Sequence, residues 1–126
     1  MNKKLIVANW KNRPETLAEA EQILDAVDEY LGSVSESKEF SLVFCPPFVF
    51  TEEVGKILKT SHLLHQAELG AQDISIDDET ALTGEISGPM LEKLGVRYVV
   101  IGHSERRWKI GESDEVVNKK LKAALQ

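Results

Sequence analysis

Tyr98-Val99-Val100-Ile101-Gly102-His103-Ser104-Glu105-Arg106-Arg107, written YVVIGHSERR, sets the frame for the whole chain. An apolar run rich in β-branched residues stops at a glycine. A histidine, a serine and three charged residues follow at once. Val96 to Ile101 therefore reads as a buried strand of the parallel kind, with a polar cluster at its carboxyl end. In α/β proteins the carboxyl ends of the strands are where sites gather.

Working back from this strand, Gly95 ends a short helix opened by Ser87-Gly88-Pro89. Asp73 to Gly84 is a polar loop, long by ordinary priors, and long loops often carry function. Leu63 to Gln72 reads as a third strand centred near Glu68 to Ala71. Thr51 is an N-cap candidate for a helix carrying Val54, Ile57 and Leu58. Ser41 to Cys45 is a second strand closed by Pro46-Pro47. The polar segment Ser33 to Glu39 reads as a loop.

Leu5 to Ala8 is the first strand. Pro14 suits the first turn of the next helix, Leu17, Ala20, Leu24, Val27 and Leu31 mark one apolar face, and Gly32 stands where a C-terminal cap belongs. Downstream, Ser113 caps a last helix with Val117, Leu121 and Ala124 on one face. The order is strand then helix, four times. Such alternation predicts a parallel sheet with crossover helices. The last helix reaches Gln126 with its apolar pattern unfinished, which suggests a chain cut before its fold was complete.

The totals narrow the function. The chain has 126 residues, enough for one small domain burying roughly two-thirds of its unfolded surface. Its 21 acidic residues outnumber 15 basic ones, giving a formal net charge of −6. Nucleic acid needs a basic footprint and is not expected as a partner. One cysteine, Cys45, allows no internal disulfide and suits a reducing compartment. One Cys and three scattered His give no metal-ligand spacing, so no metal is expected. No apolar run approaches the ~18 residues of a membrane span, and the amino-terminal run is too short for a signal peptide. The expected location is cytoplasmic, with no membrane partner.

By composition and spacing alone the polar clusters have bland readings. A histidine after a strand is more often a surface or capping residue than a catalyst. Lys11 reads as a solvated charge, and Glu105 with Arg106 and Arg107 as a surface ion-pair group. His62 and His65 read as structural or solvent-facing, and Trp10 and Trp108 as packing residues. No G-x-G-x-x-G or P-loop occurs, which leaves little for a generic doubly wound domain binding a phosphorylated ligand.

The combination of motifs says more. ANWK (8–11), LTGEISGPML (82–91) and YVVIGHSERR (98–107), with Gly111-Glu112, resemble the first, third and fourth strand-loop regions of triosephosphate isomerase. PPF (46–48) and GAQD (70–73) fit as well. The resemblance runs over essentially the whole chain, in order. It implies an α/β fold of four strand-helix units, half of a (β/α)8 barrel, with residues 1–126 as a single incomplete domain, the amino-terminal half. It implies the interconversion of dihydroxyacetone phosphate and glyceraldehyde 3-phosphate, in glycolysis and gluconeogenesis, with no metal and no organic cofactor.

The resemblance also assigns roles. Asn9 and Lys11 contact the substrate. His103 is the electrophile, and Glu105 supports Lys11. The family is itself the standard worked case of a neutral histidine held at a helix N-terminus; the polar turn from Ser104 supplies such an end here. Thr83 is the tip of a loop reaching the neighbouring subunit of a homodimer, and Glu85 a partner for Arg106 across that interface.

Two departures stand out. The family continues the first loop with Met-Asn-Gly, where this chain has Asn12-Arg13-Pro14. The family runs to about 250 residues, and its general-base glutamate follows the sixth strand, in a segment without counterpart here. A partial sequence, an engineered fragment and a natural split subunit all fit the length. A half barrel also leaves two free strand edges and an open inner face. The alternative function is therefore a catalytically inactive half barrel, an assembly module that pairs with itself or with a complementary C-terminal half.

Overall fold

In the computed structural model, which describes residues 3–33 and 40–126, four short apolar runs become strands and pair in chain order. They are β1 (Lys4–Asn9), β2 (Phe40–Cys45), β3 (Glu68–Ala71) and β4 (Val96–Val99), all parallel in one sheet. Each is followed by a helix: α1 (Leu17–Ser33), α2 (Thr51–Thr60), α3 (Gly88–Lys93) and α4 (Asp114–Ala124). This is the predicted alternation, and it is the architecture of half a (β/α)8 barrel.

Register sorts the side chains onto two faces. Phe44 pairs with Leu69, and both enter one buried cluster with Leu24 of α1, Val54 and Leu58 of α2, and Leu64. Ala71 pairs with Val99, and both belong to a second cluster with Ile74, Leu91 and Ala123, against α3 and α4. These positions mark the helix-covered face. Alternation then puts Leu5, Val7, Asn9, Val43, Cys45, Gly70 and Tyr98 on the other face. Gly70 is required there. A Cβ would collide with Cys45 Sγ and lie 2.8 Å from Val43 Cγ1.

β1 and β4 are the outer strands. On β1, Leu5 is 53%, Ile6 47% and Val7 45% exposed. The free edge expected of a half barrel is therefore present at β1, whereas Val43, Cys45 and Gly70, on the inner face of the central strands, are buried.

Several boundaries differ from the sequence reading. Gly32 lies inside α1 and does not cap it; its bare Cα lets the helix pass close to Leu63, whose Cδ1 would stand 3.2 Å from a Cβ there. Pro14 precedes the helix. The entry is instead a capping box: the Glu19 amide donates to Thr16 Oγ1 at 3.2 Å and the Thr16 amide to Glu19 Oε2 at 3.1 Å. Thr51 does not cap α2 but opens it. A 3-10 turn, Phe48–Phe50, runs straight into the helix, and the Thr51 amide is already bonded to Phe48 O.

Leu64–Gln66 is a 3-10 turn, so the third strand is only its expected centre. β4 ends at Val99, although the Val100 amide still donates to Ala71 O at 2.9 Å. Ser33 belongs to α1, and the rest of the expected loop, 34–39, lies outside the described residues. Ser87, Gly95 and Ser113 act as predicted. The two serines accept from the Met90 and Val116 amides, and Gly95 adopts φ 85°.

The face of α4 is the largest correction. Leu121 is 49% exposed, while Ala123 and a lysine, Lys120, are buried. The charge is tolerated there because acidic partners meet it, as described below. Among the described residues no helix is long and apolar enough to cross a membrane.

Candidate active site

β1 delivers Asn9 as its last residue. The Asn9 Oδ1 accepts from the Lys11 amide at 2.9 Å, a local turn that this short side chain favours. Lys11 has φ 58° and is the one non-glycine residue with positive φ among the described residues. Such a conformation costs on the order of 1–3 kcal/mol and persists where surroundings over-determine it. From there the Lys11 ammonium donates to Glu105 Oε1 at 2.6 Å. Lys11 follows β1 and Glu105 follows β4, so the pair reaches across the ends of β2 and β3. The Lys11 hydrogen bond holds the Glu105 carboxyl below the usual carboxylate range. Both side chains are substantially exposed, so the pair fixes geometry and adds little stability.

β4 leads into Gly102, at φ 64°, and then His103. The Arg106 and Arg107 amides donate to His103 O at 2.9 and 3.1 Å, so His103 heads a helical turn. The Glu105 amide in that turn donates to His103 Nδ1 at 3.2 Å. A ring nitrogen that accepts an N–H carries no proton, so this bond assigns the neutral tautomer protonated on Nε2. The expected helix N-terminus at Ser104 thus exists, and its amide fixes the ring. The Glu105 carboxylate also lies near, with Oε2 at 3.5 Å from Nδ1, but its Oε1 is engaged by Lys11.

The turn continues as a π turn, Arg106–Ile110, closed by Gly111 at φ 87°. Single π turns recur at functional sites. This one projects Trp108 outward, 86% exposed, contrary to its reading as a packing residue. Trp10 does pack, edge-on against Phe44 with ring centroids 6.0 Å apart. His65 Nδ1 lies 2.6 Å from His62 O, a structural contact. The Cys45 thiol is buried on β2, and burial pushes it up to about 11.

Behind the turn sits a buried ionic cluster. Lys120 donates to both Asp73 oxygens, at 2.7 and 2.8 Å, and to Glu112. Arg106 Nη2 lies 2.9 Å from Asp73 Oδ2 and its Nε 3.2 Å from Glu112 Oε2. Two cations thus face two anions. Burial pushes the Glu112 carboxyl up, but Lys120 and Arg106 outweigh burial and hold it below the usual range. Within the chain, then, Arg106 pairs with Asp73 and Glu112. Thr83 and Glu85 are exposed on the loop after β3, beside Gly84 at φ 87°.

The structure therefore brings Asn9, Lys11, His103 and Glu105 together and leaves Thr83 and Glu85 apart from them. The sequence reading missed Gln72, Asp73 and Lys120. Gln72 Nε2 donates to Lys11 O at 2.7 Å and to Cys45 O at 2.9 Å. The available signal for Gln72 and Asp73 was their place just past the carboxyl end of β3.

A family model described as triosephosphate isomerase matches residues 4–126. The chain is 45% identical over 124 residues to triosephosphate isomerase of Trichodesmium erythraeum (strain IMS101), covering 98% of this chain and 48% of that protein. It is 46% identical over 125 residues to the one from Thermoanaerobacter sp. (strain X514), covering 99% and 47%. Against the Aquifex aeolicus (strain VF5) protein it is 40% identical over 124 residues, covering 98% and 47%. The chain spans about half the length of the curated relatives it matches. With the sheet order, the strand-end cluster and these matches together, the chain belongs to the triosephosphate isomerase family.

Proposed function

We propose that the cluster at the strand ends is the electrophilic half of a triosephosphate isomerase site. The reaction moves a proton between neighbouring carbons, one of them a carbonyl carbon, through an enediolate. Negative charge develops on oxygen, so a hydrogen-bond donor must be aimed there in advance. The Nε2–H of His103 serves as that donor. Its ring is fixed through Nδ1, so no reorganisation is needed as charge appears. Lys11 supplies a fixed positive charge for the anionic triose phosphate, Asn9 a second substrate contact, and Glu105 the carboxylate that holds Lys11. The observation that carries the reading is the Lys11–Glu105 bond at 2.6 Å beside a histidine whose Nδ1 accepts the Glu105 amide.

The general base comes from a complementary C-terminal half of the barrel. Residues 1–126 act as one incomplete domain, and turnover requires the other half. The working protein is a cytoplasmic homodimer of glycolysis and gluconeogenesis, with Thr83 and Glu85 on the loop meeting the neighbouring subunit and Arg106 at that interface. A second reading, an inactive half barrel that pairs with itself or another half, draws support from the exposed apolar residues of β1.

The test is isomerase turnover of the chain alone and mixed with a separately made C-terminal half. A His103→Gln chain purified identically controls for host enzyme. Activity only in the mixture, reduced at least tenfold by His103→Gln, is expected of a general electrophile. A mixture with unchanged kcat in the variant removes the assignment of His103.

A further inference from the structure

The side chain of Gln72 runs sideways over the strand ends, from just past β3 to the end of β2 and the loop after β1. Its Nε2 meets Cys45 O at 2.9 Å and Lys11 O at 2.7 Å. Both partners are carbonyl oxygens, which only accept. The amide must therefore turn its NH2 group toward them, and both N–H bonds are used. Cys45 O also accepts the Trp10 amide at 3.1 Å, so the same carbonyl ties the start of the first loop to β2.

The residue held at the far end is the one in strained conformation. Lys11 sits at φ 58°. Asn9 Oδ1 holds its amide and Gln72 holds its carbonyl, so the peptide groups on both sides of the residue are tied. The Arg13 amide, bonded to Trp10 O at 3.2 Å, also closes a turn around Lys11, and Gln72 is the tie on the Lys11 carbonyl itself. With the carbonyl released, only the Asn9 contact and this turn oppose the ordinary negative φ that a lysine prefers, and the side chain is free to leave its present direction.

We propose that Gln72 is a positioning residue of the site: its amide clamps the Lys11 carbonyl, keeps Lys11 left-handed, and so aims the ammonium at Glu105. This rests on the reading of Lys11 and Glu105 as site residues given above. Gln72 touches no reacting atom in this scheme and acts through Lys11. The third strand thereby sets the position of a charge that the first loop carries.

The test uses the full 126-residue chain, isotopically labelled for NMR. Lys11 Cα and Cβ shifts report its backbone conformation, and the Glu105 carboxyl carbon reports the ion pair by titration. Gln72→Met keeps the side-chain length and removes both donors. The expected result is a Lys11 signal shifted to that of an ordinary backbone, and a Glu105 midpoint raised by most of the rise that Lys11→Met produces. Unchanged Lys11 shifts and an unchanged Glu105 midpoint in a folded Gln72→Met chain overturn the proposal.

If Lys11→Met leaves the Glu105 midpoint where it was, the ion pair itself is wrong and the site reading fails, whatever Gln72 does to the Lys11 backbone. Should Gln72→Met not fold, the unaltered chain still decides. Both Gln72 side-chain amide protons should exchange slowly with solvent, and fast exchange of both overturns the clamp.

Discussion

Lys120→Met tests the least expected feature of the fold. The substitution keeps nearly the same length and volume, so a cavity contributes little. What it removes is a charge that is 3% exposed and bonded to Asp73 and Glu112. Two carboxylates then face Arg106 alone, and the cluster carries one uncompensated negative charge. Breaking a buried ion pair from one side typically costs about 3–5 kcal/mol. Against a total stability of roughly 5–15 kcal/mol for a domain, the loss is large. With a urea slope of about 1–3 kcal/mol/M, the midpoint should fall by about 1 M or more.

The pH dependence gives the sign. In the unaltered chain the folded Glu112 carboxyl is held low, so it stabilises above its unfolded value, about 4.3, and the contribution is lost as pH falls below that. Without Lys120, Arg106 alone opposes burial, so the folded value rises from its lowered position. The variant therefore gains less stability than the unaltered chain as pH rises through the carboxylate range, and the gap between the two chains widens from about pH 4 toward neutrality. Urea melts at pH 4 and pH 7, followed by circular dichroism, measure both effects. A loss under about 1 kcal/mol at pH 7, or a gap that does not change with pH, refutes a charge-based role for Lys120.

Other substitutions probe the frame around the site. Asp28 accepts from Ser61 Oγ at 2.6 Å and from the Leu63 and Leu64 amides at 3.2 and 3.1 Å, joining α1 to the chain after α2. Asp28→Ala should cost about 1–3 kcal/mol in a chemical melt, and a loss within error would show that water replaces it without penalty. The Ser61 bond holds the Asp28 carboxyl below its usual value, so that stabilisation is present above about pH 3.9 and fades as pH falls further. Gly70→Ala should destabilise by about 1–3 kcal/mol through overpacking against Cys45 and Val43; an unchanged melting temperature would mean the strands part freely there. Cys45, buried and pushed up to about 11, should resist thiol reagents at pH 8 until denaturant is added. Rapid labelling of the native chain would contradict its burial.

The alternation of strand and helix was legible because each unit repeats one local pattern: a short β-branched run, a polar turn, then apolar residues at helical spacing. Ser87 and Ser113 were legible as caps because their chemistry is local. Asn9, Lys11, His103 and Glu105 stood out as residues just past strand ends, although spacing alone gave them bland readings. Lys120 was hidden for the opposite reason. Counting an apolar face discards a lysine, and its partners Asp73 and Glu112 are distant in sequence or placed in a loop. Gln72 was hidden because a clamp on two carbonyls depends on register, and nothing in the residue type reports it. Trp108 was misread because an aromatic ring usually packs, and the π turn that turns it outward has no strong local signal. Thr51 failed as a cap because the 3-10 turn before it had already begun the helical backbone.

The bond between Lys11 and Glu105 joins residues 94 positions apart, and it connects the first unit of the sheet to the last. Seen in time, that separation makes the site a late event. Helices and neighbouring strand pairs close short loops and can form early, whereas this contact waits until all four strands have docked in order. A chain emerging amino end first carries Lys11 long before Glu105 exists to meet it. For that interval the ammonium at the end of β1 is an ordinary solvated charge, and it acquires its partner only when the fourth strand arrives.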